Sequence, residues 1–379
     1  MKIVGITAEY NPFHNGHKYH IKQSKKETDA DICAVVMSGN FVQRGAPAVY
    51  DKWERASFAI KNGADIVFEL PVVYSLSTAE KFAEGAIRLL DAINCNYISF
   101  GSESPIEEIN SVYNLYKDNI DNTDFCSETP FHISRTDMDK SFDILKMPNN
   151  ILAFEYIKAL DKINSKAIPF AIKRTDNGYN SKEIAAFSSA TAIRNAVLCG
   201  KSYKSTVPEN TAKYMENNPI AREDMFIDLI KYAILTNRSQ LGNIAEVREG
   251  IENKIYECVK NGNFNSYEEL VKEIKSKRYT YTAVSRMLFQ ILLGITKNDV
   301  SASPCYLRVL AFNKKGRELL KHLKTHSALP VITKPAGYKN LDEKGINMIS
   351  KDFLATDIYN LITNKKGKAD LTTSPVIIS

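Results

Sequence analysis

His14 and His17, three residues apart with Gly16 between them, are the side chains of this chain best suited to chemistry. At a helix start, side chains at that spacing face the same way. Their ring N–H groups then donate together to a triphosphate, and the bonds tighten as charge builds on the bridging oxygen during displacement at the α-phosphorus. Such a site needs no protein nucleophile. Gly16 lets a nucleotide approach backbone that a Cβ would block. His14, His17 and His20 also suit a metal, although a zinc set would need a Cys or carboxylate close by in sequence to complete it.

The elements that must position these rings are legible. Lys2-Ile3-Val4-Gly5-Ile6 reads as a buried first strand, Pro12 and Gly16 punctuate a turn, and residues 18–26 read as an exposed helix start. An open α/β sheet binds nucleotides at such a junction, outside the carboxyl end of a strand, where the helix start offers N–H groups and a positive dipole end. Further apolar runs at 32–37, 65–70, 97–100 and 168–172 alternate with helical patterns at 53–62, 78–92, 106–116, 151–163 and 191–198. That alternation predicts an α/β domain over residues 1–200, a doubly wound parallel, Rossmann-like sheet. Beyond it the patterns at 225–236, 244–260, 267–275 and 282–293 predict a mainly helical domain over 201–379, with the boundary near 200–208. The stretch from Pro304 is mixed, and residues 365–368 read as a solvated tail.

Other loops fall at strand ends. Ser38-Gly39-Asn40-Phe41-Val42-Gln43-Arg44-Gly45-Ala46-Pro47 can present N–H groups and a cation to an anion, or serve as an ordinary polar connection. Gly101, in Ser99-Phe100-Gly101-Ser102-Glu103, allows an adenine or ribose to lie flat on the backbone, or simply makes a turn. Met147-Pro148-Asn149-Asn150-Ile151 reads as a helix start with an Asn as N-cap, leaving a second Asn to read the nucleotide. Lys173-Arg174 ends another strand. Ser188-Ser189-Ala190-Thr191-Ala192-Ile193-Arg194 places hydroxyls and an arginine on a helical first turn, a plain cap by itself and a second phosphate grip when paired with the histidines. His14, His17, Thr191 and Arg194 are therefore the candidate catalytic residues.

The chain has 379 residues with 44% hydrophobic and 25% charged content, which suits a soluble protein with a substantial core. No apolar run is long enough to span a membrane, and no signal-peptide order is present. Six scattered cysteines without a Cys-x-x-Cys pair point to reduced thiols and a cytoplasmic location. Residues 1–200 carry 22 Lys and Arg against 25 Asp and Glu, net −3; residues 201–379 carry 28 against 19, net +9. A basic half suggests a polyanion partner. Within it Lys272, Lys275, Lys277, Arg278 and Arg286 interleave with Tyr279 and Tyr281. Cations on phosphates and rings on unstacked bases suit RNA, and a solvated helix face is the plainer alternative. The RNA contacts expected are Lys277, Arg278, Tyr279, Tyr281 and Arg286. A second cluster joins Arg308, Lys314, Lys315, Arg317, Lys321 and Lys324.

With these residues assembled, the chain resembles the His-x-Gly-His nucleotidylyltransferase superfamily and, more narrowly, the bacterial tRNA(Met) cytidine acetate ligase family. The resemblance rests on the run from Gly5 to His17, on Ser38 to Gly45, on Pro148-Asn149-Asn150-Ile151-Leu152, on Ser189 to Arg194, and on Lys277-Arg278-Tyr279-Thr280-Tyr281-Thr282. It implies an enzyme that activates acetate with ATP, accompanied by Mg2+, to acetyl-adenylate and pyrophosphate. The acetyl group then passes to the exocyclic amine of the wobble cytidine of elongator tRNA(Met), giving N4-acetylcytidine. By the family's pattern the ATP site comprises Thr7, Ala8, Glu9, Tyr10, Asn11, Pro12, Phe13, His14, Asn15, Gly16, His17, Lys18, Tyr19 and His20, together with Gly101, Asn149 and Arg174. Two other classes stay open: an adenylyltransferase joining ATP to a small phosphorylated metabolite, and an RNA-binding protein with a relic nucleotide site.

Overall fold

The protein is described as a computed structural model over residues 1–122, 140–173 and 188–379. Its strands are β1 (Ile3–Ala8), β2 (Ile32–Ser38), β3 (Phe41–Val42), β4 (Ala46–Pro47), β5 (Ile66–Leu70), β6 (Tyr97–Ser102), β7 (Ile168–Lys173), β8 (Leu307–Phe312), β9 (Val331–Ile332) and β10 (Val376–Ile377). Eight of them form one sheet in the order β10-β8-β5-β2-β1-β6-β7, with β9 also on β8. Every pairing in it is parallel except β5 with β8. The expected doubly wound parallel sheet is present. The chain leaves β1 on one side through β2 and β5 and on the other through β6 and β7, so β1 stands at the switch point.

Helices cover both faces, so the strands read as continuous apolar runs. All seven residues of β2 are buried. Ile32, Ala34 and Val36 join one core, with Leu90, Phe154 and Leu288, whereas Cys33, Val35 and Met37 join the other, with Phe58 and Ile193.

The expected boundary near residue 200 does not coincide with an edge of this architecture. Helices Ile227–Thr236, Ile251–Asn261, Tyr267–Ile274 and Tyr281–Leu293 share a core with β2 and β5, and residues 307–377 return to supply three strands. A buried charge cluster lies where that segment returns. Lys52 Nζ lies 2.7 and 2.9 Å from the Glu69 oxygens and 2.6 Å from Asp370 Oδ1. Arg308 Nη1 stands 3.3 Å from Glu69 and Nη2 2.5 Å from Asp370. Burial alone would raise the Asp370 carboxyl; Lys52 and Arg308 overrule it and hold that group below its ordinary value. The supposed tail at 365–368 is likewise tied down, with Lys365 Nζ 2.5 Å from Asp51 Oδ2.

Glu155, on the helix Pro148–Lys162, is buried, and that burial pushes its carboxyl up to about 7. A carboxyl whose folded value is raised favours the fold at low pH, and the contribution is lost as pH climbs from its ordinary range near 4.5 through 7. Denaturant unfolding of Glu155→Gln at a series of pH values should show this decline flattened. A slope equal to that of the parent protein would assign the pH dependence to other groups.

Candidate nucleotide site

β1 runs into the loop Glu9 to His14 and then the helix Asn15–Thr28. His14 is the N-cap of that helix, with its Nδ1 accepting from the Gly16 N–H at 3.1 Å. His17 reciprocates, its Nδ1 accepting from the His14 N–H at 3.2 Å. This is a capping box built from two imidazoles. The rings stack 3.6 Å apart at 24°, and Tyr10 packs edge-on to His17 at 4.8 Å. Because each Nδ1 accepts from backbone, the neutral rings carry their proton on Nε2, as assigned from these bonds. Both histidines are therefore fixed as Nε2–H donors at a helix start. The Gly16 N–H is spent on His14.

The rest of the loop is held from beneath. Tyr10, Asn11, Pro12 and Phe13 are buried, and Asn11 Oδ1 accepts from the Val49 N–H at 2.7 Å. Glu9 Oε1 accepts from the Gln43 N–H at 2.9 Å, joining this loop to the one after β2. Arg55, on the helix Lys52–Lys61, is 0% exposed and donates to four carbonyls, those of Glu9, Ser38, Gly39 and Tyr50. Burial brings its guanidinium down to about 10, with the nearby charges of Asp51, Glu9 and Glu69 acting the other way. Arg55 thus fastens the carboxyl ends of β1 and β2 together. Nothing in the sequence separated it from the solvated arginines of an ordinary amphipathic helix.

The second phosphate element is brought to the first. Ser189 caps the helix Ala190–Leu198 through the Ala192 N–H. Arg194 Nη1 donates to the Asn11 carbonyl at 2.7 Å, and Nη2 to Thr191 Oγ1 at 3.0 Å. Burial lowers the Arg194 guanidinium, opposed by the Glu9 and Glu223 carboxylates. Thr7 and Ala8 are half-buried at the end of β1; Lys18 and Tyr19 are exposed on the first helical turn. Asn15 reaches sideways, donating to the Ser205 carbonyl.

Gly101 lies half-buried near the end of β6, paired with Ile172 of β7. Arg174, just beyond β7, lies outside the described residues. The two asparagines separate cleanly. Asn150 is buried, its Oδ1 accepting from the Glu103 and Ser104 N–H groups and its Nδ2 donating to Ser104 Oγ and the Ile144 carbonyl. Asn149 is half-buried with Nδ2 on Glu103. Neither is the N-cap expected from sequence. Pro148, which has no N–H to satisfy, takes the first helical position after Met147, and Glu103 accepts from the Asn150 N–H instead.

Three of the singled-out residues are engaged with partners inside the fold. His20 turns inward, its Nε2 3.0 Å from Ser99 Oγ of β6, so it braces the helix against the sheet. Arg286 is 9% exposed and paired bidentately with Glu246 at 2.7 Å, because it lies on the packed face of its helix. The remaining residues of that run differ. Lys277, Arg278 and Tyr281 are exposed, Tyr279 is half-buried, and the Arg278 guanidinium lies 5.6 Å from the Tyr279 ring centre. In the second basic cluster Arg308 is the buried partner of Glu69 and Asp370 rather than a surface cation. Among the described residues no helix is long and apolar enough to cross a membrane.

Comparison with known proteins agrees with this fold. A family model described as HIGH Nucleotidyl Transferase matches residues 1–373. The chain is 40% identical to the tRNA(Met) cytidine acetate ligase of Clostridium novyi, with all of both chains covered. It is 41% identical to the protein of that name from Caldanaerobacter subterraneus, over 95% of each chain. The crystal structure of Thermotoga maritima TmcAL bound with alpha-thio ATP superposes with a TM-score of 0.87 at 29% identity, covering 100% of both chains. A switch-point loop with paired Nε2–H donors, a second arginine-bearing helix docked on it, and relatives matched from end to end place this chain in the HIGH nucleotidyl transferase family, among the tRNA(Met) cytidine acetate ligases.

Proposed function

We propose that the protein activates acetate with ATP and passes the acetyl group to the wobble cytidine of elongator tRNA(Met). The observation that carries this reading is the reciprocal His14–His17 cap with Arg194 docked on the same loop. In the first step an acetate oxygen attacks the α-phosphorus of ATP, the bond to the bridging oxygen breaks, and pyrophosphate leaves. His14 and His17 donate from Nε2 to the phosphate oxygens as charge develops, and the cation of Arg194 faces the same charge. In the second step the cytidine N4 attacks the acyl carbon and loses a proton, and AMP departs with the electron pair of the acyl oxygen bond.

Gly101 and Asn149 are proposed to bound the adenosine end, with Asn150 shaping the loop behind them. Mg2+ would accompany the ATP phosphates. The helical segment 209–293 with its exposed Lys277, Arg278 and Tyr281 is proposed as the tRNA-facing region. A cytoplasmic location suits the free thiols of Cys33 and Cys95.

The test is pyrophosphate exchange into ATP. Exchange that requires acetate supports the ligase; exchange that requires a phosphorylated metabolite instead points to an adenylyltransferase, and none at all sinks both. Lys277→Ala with Arg278→Ala should spare the exchange while weakening tRNA binding, each lost phosphate contact flattening the salt dependence by roughly one unit of slope. Filter binding over a salt series checks this, and an unaltered slope would move the RNA surface elsewhere.

A further inference from the structure

The hairpin of β3 and β4 carries Arg44 at its tip. The side chain is exposed, and among the described residues its guanidinium makes no ion pair or hydrogen bond. The hairpin beneath it is nevertheless fixed on two sides. On the nucleotide side, the Gln43 N–H is held by Glu9. On the other, Gly45 presses its backbone against the helix Tyr281–Leu293. Its φ is +78°, and a Cβ there would stand 2.4 Å from the Arg286 backbone nitrogen. Ser285 Oγ donates to the Gly45 carbonyl at 2.5 Å, and Tyr267 Oη lies 2.7 Å from that same Oγ. Phe41, at the base of the hairpin, packs on Phe226 and Phe289.

Arg44 is thus a cation on a rigid mount between two proposed functions. Burial lowers the Arg194 guanidinium, and the charge of Arg44 adds to that lowering. Away from the sheet its mount is seated on the helix whose first turn follows Lys277-Arg278-Tyr279-Thr280. Within the proposed ATP site the phosphates already meet the two histidines, the helix start and Arg194. An exposed guanidinium with no carboxylate partner among the described residues suits a further phosphate.

We propose that Arg44 grips a backbone phosphate of the acceptor RNA, next to the base that enters the nucleotide site; this rests on the tRNA reading above. Its position at the seam gives it a task distinct from that of Lys277 and Arg278. Those residues hold the RNA along the helical face, whereas Arg44 registers one nucleotide against the acyl donor.

The experiment compares full-length parent, Arg44→Ala and Arg44→Lys by filter binding to elongator tRNA(Met) over a salt series, alongside acetate-dependent pyrophosphate exchange. Arg44→Ala should lower tRNA affinity and reduce the slope of log K against log salt by roughly one unit, with Arg44→Lys restoring the slope. The exchange reaction should stay within about threefold of the parent in both, since a contact to RNA is absent from adenylate formation. An unchanged slope in Arg44→Ala overturns the proposal. So does a raised KM for ATP in the exchange reaction, which would make ATP the source of the phosphate. If the parent protein itself fails to bind tRNA, the broader tRNA reading falls, an outcome separate from any effect of Arg44.

Discussion

His17→Ala is expected to lower acetate-dependent pyrophosphate exchange by about 100- to 1,000-fold, the loss typical of removing one donor aimed at developing charge. The same substitution also deletes a helix cap, since His17 Nδ1 holds the His14 N–H. The two effects can be separated. Glutamine at that helical position can still accept from the N-cap N–H, as in an ordinary capping box, but it does not reproduce a ring Nε2–H. His17→Gln should therefore keep the thermal stability of the parent within a few degrees while losing exchange as His17→Ala does. A glutamine variant with exchange within threefold of the parent would remove His17 from the chemistry. His20→Ala should leave the exchange close to that of the parent, because its Nε2 is committed to Ser99.

The largest effect on stability is expected at Lys52. Its ammonium is wholly buried between Glu69 and Asp370. Replacing it with methionine keeps the stem and leaves Glu69, Asp370 and the neighbouring buried Asp352 with only Arg308 to balance them. Breaking a buried pair from one side costs about 3–5 kcal/mol. Urea unfolding of Lys52→Met should show a loss of that size, and combining it with Asp370→Asn should recover part of it. A loss below about 1 kcal/mol, the range of exposed pairs, would mean that solvent reaches the cluster.

Much of the site was legible because its residues act locally. His14, Gly16 and His17 announce a helix start once the apolar strand and turn before them are read, and Ser189 with Thr191 and Arg194 reads as the cap of a second one. The apolar runs of β1, β2, β5 and β6 are largely buried, which is why they stand out in the chain, whereas β7 is only partly covered. What stayed hidden depends on contacts across long separations. Arg308 lies inside an apolar run, Leu307–Phe312, yet counted as one more surface cation until Glu69 and Asp370 were seen around it. Arg286 was equally indistinguishable from Arg278 until the face it occupies was known. Asn149 and Asn150 are adjacent and chemically identical; only the fold around Glu103 and Ser104 tells them apart.

The pairing of β5 with β8 has a consequence for how the chain is made. β5 is complete once Leu70 has left the ribosome, but its partner strand begins at Leu307. At roughly 5–20 residues per second, the intervening chain takes roughly 10–50 s to synthesise. Throughout that interval the nascent sheet presents an open edge whose Glu69 side chain still lacks Arg308. Open edges invite pairing with other strands. Ribosome-bound fragments ending before β8 should therefore be a natural client for chaperones that shield exposed strands, while fragments reaching past β10 should release themselves from that dependence.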